Sequence, residues 1–171
     1  MYYPAIKQMI QNLEAVEEWL DKAEKYAASK NFQIEVLLND RLAPDMNSLI
    51  YQIQSACDYV KAAAGWLARQ KPPRHEDSEQ TIDELRTRIR KTIEFARSIS
   101  PERYEAAADR KIALPWKAGK VLGGEDYLIQ IIIPNVYFHL TTTYAILRYN
   151  GVDIGKRDFL GHIRFIDGSP D

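Results

Sequence analysis

The sequence predicts an all-α fold, a four-helix bundle, and three observations carry that reading. Four long segments repeat apolar residues every three or four positions, the period of a one-sided helix. The stretches between them are short and rich in proline, glycine and charge. The chain of 171 residues, 46% hydrophobic and 27% charged, is long enough to close one sizeable core. Helices of about 20 to 27 residues span about 30 to 40 Å, and four of them with short connections pack most simply as a bundle. No internal repeat or low-complexity stretch divides the chain, so residues 1–171 read as a single domain.

The first helix is expected from Tyr3 to Ser29, with Ile6, Met9, Ile10, Leu13, Val16, Leu20, Ala23 and Ala27 on one face. Phe32 to Leu38 reads as a linking segment. The second helix is expected from Met46 to Ala68, opened by Leu42-Ala43-Pro44-Asp45, since proline suits a first turn where its missing N–H is not needed. Its stripe of Met46, Leu49, Ile50, Ile53, Cys57, Val60, Ala64 and Leu67 is narrow, as in bundle packing. Lys71 to Asp77 is a polar, helix-breaking loop, and Asp77 or Ser78 is the expected cap of the third helix. That helix carries Ile82, Leu85, Ile89, Ile93, Ala96 and Ile99 on one side. Arg86, Arg88, Arg90 and Lys91, interspersed with acids, read as its solvated face.

Pro101 to Gly124 forms an irregular or extended insert, with a short helix at Glu102 to Ala108 and a turn near Gly119 to Gly124. The fourth helix is expected from Glu125 to Asn150, closed by Gly151 and kinked at Pro134, which forfeits a backbone hydrogen bond. The tail, residues 152–171, mixes Ile154, Phe159, Leu160, Ile163, Phe165 and Ile166 with charge. It is expected to pack back on the bundle or against a partner subunit.

Charge and composition exclude several functions. Lys plus Arg is 23 against 24 for Asp plus Glu, a net charge of -1, which gives no bulk attraction to nucleic acid or an anionic membrane. No apolar run approaches the roughly 18 residues of a membrane span, and the start lacks a signal-peptide pattern, so a cytoplasmic location is expected. A single cysteine, Cys57, permits neither an intrachain disulfide nor a cysteine zinc cluster, and it lies on an apolar stripe like a small core residue. No phosphate-binding glycine loop is present. The three histidines are His75 in the polar loop, His139 in the fourth helix and His162 in the tail.

Chemistry is expected on the fourth helix. At 100° per residue, Asn135 and His139 point within about 40° of Leu128, Ile132 and Ile146, and being four apart they stack on one side. A histidine facing a bundle interior serves as a metal ligand, a general base or a buried hydrogen-bonding residue. Asp58 points away from the second helix's stripe, toward surface or a subunit interface. Trp19, Trp66 and Trp116 read as core or interface anchors, and Tyr51, Tyr59, Tyr137 and Tyr144 as the lining of a cleft or a dimer seam.

Several motifs form a recognisable set: Arg41-Leu42-Ala43-Pro44-Asp45-Met46, Gln52-Ile53-Gln54-Ser55-Ala56-Cys57-Asp58, Pro134-Asn135-Val136-Tyr137-Phe138-His139, Tyr144 to Gly151 and Ile154 to Gly161. The set resembles domain-of-unknown-function family 1993, a bacterial branch of the DinB/YfiT-like metalloenzyme superfamily, over nearly the whole chain. The resemblance implies a four-helix bundle, often dimeric. It also implies a divalent-metal site of three histidines, one from helix two and two from helix four at i and i+4. His139 matches the second helix-four ligand by its spacing to Gly151. Asn135 then occupies the first helix-four position, and Gln52 best matches helix two, so amides replace two of three imidazoles. Neutral amides bind zinc or nickel far more weakly than imidazole does. Gln52 also lies roughly 105° off its helix stripe, which suits a cleft edge.

Three functions follow from this. The leading one is a non-metal homodimeric bundle binding a small molecule in a cleft near Gln52, Asn135 and His139. The second is a divalent-metal-dependent enzyme resembling thiol transferases or isomerases, with His139 ligating weakly held nickel, zinc or manganese. The third is a dimeric structural or interaction protein without site chemistry.

Overall fold

The computed structural model describes residues 1–168, so the last three residues of the expected tail lie outside it. The chain is an all-α bundle. Helix α1 spans Tyr2–Lys30 and turns Ile6, Leu13, Val16, Trp19 and Leu20 into the core. Asn31 ends it in the left-handed conformation at φ 64°, which asparagine tolerates better than most residues. The linking segment contains a short helix, α2 (Glu35–Asn39), that delivers Leu37 and Leu38 to the core.

Helix α3 spans Leu49–Leu67 and packs against α1, α4 (Ile82–Arg97) and α6 (Ile133–Tyr149). It starts three residues later than the periodicity predicts. Pro44 sits in a turn rather than a first helical turn, because the Arg41 guanidinium donates to the Met46 carbonyl at 2.7 Å and Ser48 is extended. Helix α4 begins at a capping box. Glu84 N–H donates to Thr81 Oγ1 at 3.3 Å, and Thr81 N–H donates to Glu84 Oε2 at 3.0 Å. The cap is therefore Thr81 and not Asp77 or Ser78, Asp77 being engaged by Arg88.

The solvated basic face holds for Arg90 and Lys91 but not for Arg86 and Arg88, which are buried. These two lie at the edges of the apolar stripe, where long side chains can lie along the neighbouring helices. Arg86 meets Asp21 and Glu24 of α1 at 2.7 and 2.6 Å.

The insert comprises a 3-10 turn (Pro101–Tyr104) and an antiparallel hairpin of β1 (Lys111–Ala113) and β2 (Val121–Gly123) with Ile112 opposite Leu122. Trp116, at the hairpin's connection, is exposed, and Trp66 is partly so; only Trp19 is a buried anchor. Gly124 follows against the backbone of Ala107, where a Cβ would stand 1.8 Å from the carbonyl oxygen. The fourth long helix starts there as α5 (Gly124–Asp126), continues in π register over Tyr127–Ile132 and becomes α6. The break expected at Pro134 thus takes the form of a π segment immediately before it. A wider turn accommodates a residue that has no N–H to give and whose ring crowds the preceding turn.

At the far end of α6, Gly151 adopts φ 98°, and the N–H groups of Gly151 and Val152 donate to the carbonyls of Arg148 and Leu147 at 3.1 Å each. This is a Schellman closure. The tail then returns to α1. Helix α7 (Lys156–Leu160) stacks Phe159 on Trp19 at 5.6 Å, and the Trp19 indole N–H donates to the Asp158 carbonyl at 3.1 Å. Beyond it Ile163, Phe165 and Ile166 are exposed.

Candidate functional site

Because α3 and α6 pack side by side, Gln52 and His139 meet between them. His139 Nδ1 lies 2.8 Å from Gln52 Oε1, and Gln52 Nε2 donates to the Asn47 carbonyl at 3.0 Å. The second bond settles the first. With the amide N–H committed to Asn47, the amide oxygen faces the imidazole and accepts from Nδ1–H. The ring is thereby held as the tautomer whose lone pair is on Nε2. That nitrogen is not among the fully enclosed, unpartnered polar atoms of the described residues, and His139 keeps 8% of its surface accessible. Burial lowers the pKa of His139 from the ordinary 6.5, which favours the neutral ring.

Aromatic side chains enclose the imidazole. Tyr59 stacks on it at 5.7 Å and 20°, while Tyr51 and Phe138 meet it edge-on at 6.2 and 5.3 Å. Tyr51 and Phe138 are themselves exposed, so the histidine sits at the floor of an aromatic surface. The Thr143 hydroxyl donates to the His139 carbonyl at 2.8 Å, tying the site into α6.

Of the three residues expected to share a site, two come together. Gln52 is buried and not at a cleft edge, because α3 packs on several neighbours and its buried arc is wider than its apolar stripe. Asn135, one turn before His139, does not share the bond: its amide donates at 2.6 Å to the Ile131 carbonyl, within the π segment of its own helix. The expected tyrosine lining divides likewise. Tyr51 and Tyr59 meet His139, whereas Tyr144 packs on Trp19 and Phe159 on the tail side.

Five surface cavities of about 280–620 Å³ lie elsewhere, and none has Gln52, Asn135 or His139 in its wall. His75 lines two of them, and His162 is exposed in the tail.

These donors do not fit the three-imidazole metal set that the resemblance implies. Gln52 Oε1 is engaged by the ring's own N–H, and Asn135 offers only a neutral amide oxygen in place of an imidazole. Among the described residues no three His, Cys, Asp or Glu side chains converge on a common point. Cys57 supplies no nucleophile, since burial pushes its thiol up to about 12.

The second polar centre, missed by sequence reasoning, is Arg88. Its guanidinium, 1% exposed, meets Asp58 at 2.7 Å, Asp77 at 2.8 Å and Glu79 at 3.0 Å. Glu79 also accepts from Gln54 Nε2 at 2.8 Å. Burial works to raise the Glu79 carboxyl, but the bonds from Gln54, its own backbone and Arg88 outweigh it and hold the group below the usual carboxylate range. Asp58, expected at the surface or an interface, is half-buried and also pairs with Lys61 at 2.7 Å. The available signal was positional: Arg88 falls three residues after Leu85 and just before Ile89, at the margin of the buried face.

A helical bundle with a histidine–amide pair between its second and fourth long helices is the class that this geometry defines. The chain belongs to the family DUF1993, described as a domain of unknown function, which matches residues 1–160. It is also similar to a crystallographically solved DinB family member protein from Shewanella denitrificans, with 40% sequence identity and a TM-score of 0.94 over 97% of this chain and 95% of that one. Comparison with curated proteins yields no match. No described helix is long and apolar enough to cross a membrane.

Proposed function

We propose that this DinB-like bundle binds a small molecule at His139, in the cytoplasm, without a tightly held metal ion. The observation that supports this is the oriented imidazole. Gln52, itself anchored on Asn47, holds Nδ1–H and leaves the Nε2 lone pair to meet a hydrogen-bond donor, with Tyr51 and Phe138 as apolar walls. A metabolite library screened by ligand-observed NMR tests it. Compounds that bind the wild type are expected to lose at least about tenfold in affinity with His139→Phe, the worth of one hydrogen bond at a desolvated site. Hits that bind the folded variant equally well would place the ligand elsewhere. Divalent metal enters only as a weak, exchangeable ligand of Nε2; stoichiometric nickel, zinc or manganese in untagged protein would overturn this part.

A second reading rests on a different observation. Exposed Tyr51 and Phe138 flank the histidine, and neither lines any of the five cavities. A second copy of the chain, laid across this face, would supply the missing wall of the cleft. Sedimentation velocity tests it: the full chain is expected as a dimer, and Phe138→Lys as a folded monomer.

A further inference from the structure

Between α3 and α4, residues 68–81 form neither helix nor strand, yet the segment is held closely across the seam of the two helices. Side chains do the holding. Arg88 binds the carboxylates of Asp77 and Glu79 and donates to the Glu76 carbonyl at 3.1 Å, while its contact with Asp58 joins the strap to α3.

His75 is part of this strap and is half-buried. Its Nδ1 is fully enclosed and has no hydrogen-bond partner. Lys61 on α3 and Arg88 and Lys91 on α4 bring positive charge to bear on the ring, and Asp58 on α3 acts against them. Glu84 and Glu94 of α4 share its cavity walls, and the strap itself carries Arg74, Glu76, Asp77 and Glu79.

We propose that residues 71–79 are an acid-sensitive latch, released from the α3–α4 seam when His75 takes up a proton. An enclosed Nδ1–H would have no acceptor, and the new charge would be desolvated beside cations whose carboxylates are already engaged, Arg88 with Asp58, Asp77 and Glu79 and Lys61 with Asp58. Water satisfies both demands once the strap lifts, and the lifted strap uncovers Arg88, Gln54 and Asp58. The sign follows from linkage. In the released strap His75 titrates at its ordinary 6.5; in the held strap burial, then Lys61, Arg88 and Lys91, lower that value. The held form is therefore fully favoured above 6.5. Below it the release equilibrium shifts by up to about tenfold per pH unit, until the lowered value is reached.

A glutamate-specific endoproteinase active in both acid and neutral buffer tests the latch. Cleavage after Glu79, which is only 12% exposed when held, is measured against a synthetic peptide of residues 68–84, so that the protease's own pH dependence cancels. Between about pH 7.5 and pH 5.5 the normalised rate is expected to rise in the wild type, by up to about tenfold. His75→Gln, neutral throughout, is expected to stay within about twofold. A wild-type rate that does not change, or a His75→Gln rate that rises in step with the wild type, would overturn the proposal. Circular dichroism establishes that both proteins are folded at both pH values.

Discussion

Toward α6, helix α3 presents Gln52 to His139; toward α4, it presents Gln54 and Asp58 to Arg88. Both are buried polar contacts made by one helix with a neighbour, yet they treat charge in opposite ways. The His139 contact is neutral, carries one bond between side chains and leaves a nitrogen without a partner among the described residues. The Arg88 contact is ionic, gathers three carboxylates from two elements and leaves only Nε unbonded. A buried charge demands full compensation, whereas a neutral ring held by one bond has capacity to spare. The first arrangement suits recognition and the second suits holding a chain segment in place.

Stability measurements should separate the two. The largest effect is expected for Arg88→Met, which leaves the carboxylates of Asp58, Asp77 and Glu79 facing one another. A loss of about 3 kcal/mol by urea denaturation is expected, toward the low end for a broken buried pair because Asp58 and Asp77 are 41% and 58% exposed. Gln52→Leu should cost about 1–2 kcal/mol, since it strands Nδ1–H in an aromatic surround. Adding His139→Phe to it should recover most of that loss, because both partners are then apolar. No comparable rescue is expected around Arg88, and equal behaviour of the two centres in such cycles would dissolve the contrast.

Thr81→Ala, which opens the capping box where the strap meets α4, is expected to cost about 1 kcal/mol in the same assay. Smallest is the pH term at His139. Its ring resonances should titrate below 6.5, and the stability it contributes should be complete above that value and fade as pH falls from it toward the lowered pKa. A ring that titrates above 6.5 would mean that Gln52 is not the only group on Nδ1.

The bundle was legible because its cores obey helical periodicity: α1 and α3 bury the residues that their stripes name, apart from Met46, which precedes α3 and is only partly buried. What was less legible follows a common cause, the reach of side chains across elements. The T-x-x-E signature at Thr81 was present in the sequence, but Asp77 and Ser78 are equally good local caps until Arg88 claims Asp77. Arg86 and Arg88 look solvated on a wheel that shows one helix and none of its neighbours. At the site, spacing placed His139 and Asn135 on one face and the family resemblance singled out Gln52, but the Asn135 amide bonds back into the π segment, a change of register that 100° arithmetic does not contain.

That segment also sets a phase. Gly124 is seated against the Ala107 backbone, so the angular position of every residue downstream depends on how many residues lie between that seat and His139. A π turn arises when one residue is added to an α-helix. Deleting one residue from Tyr127–Ile132 would restore a plain α-helix and rotate His139 about 100° away from Gln52. In this chain, then, the meeting of imidazole and amide depends on residue number as well as on residue type.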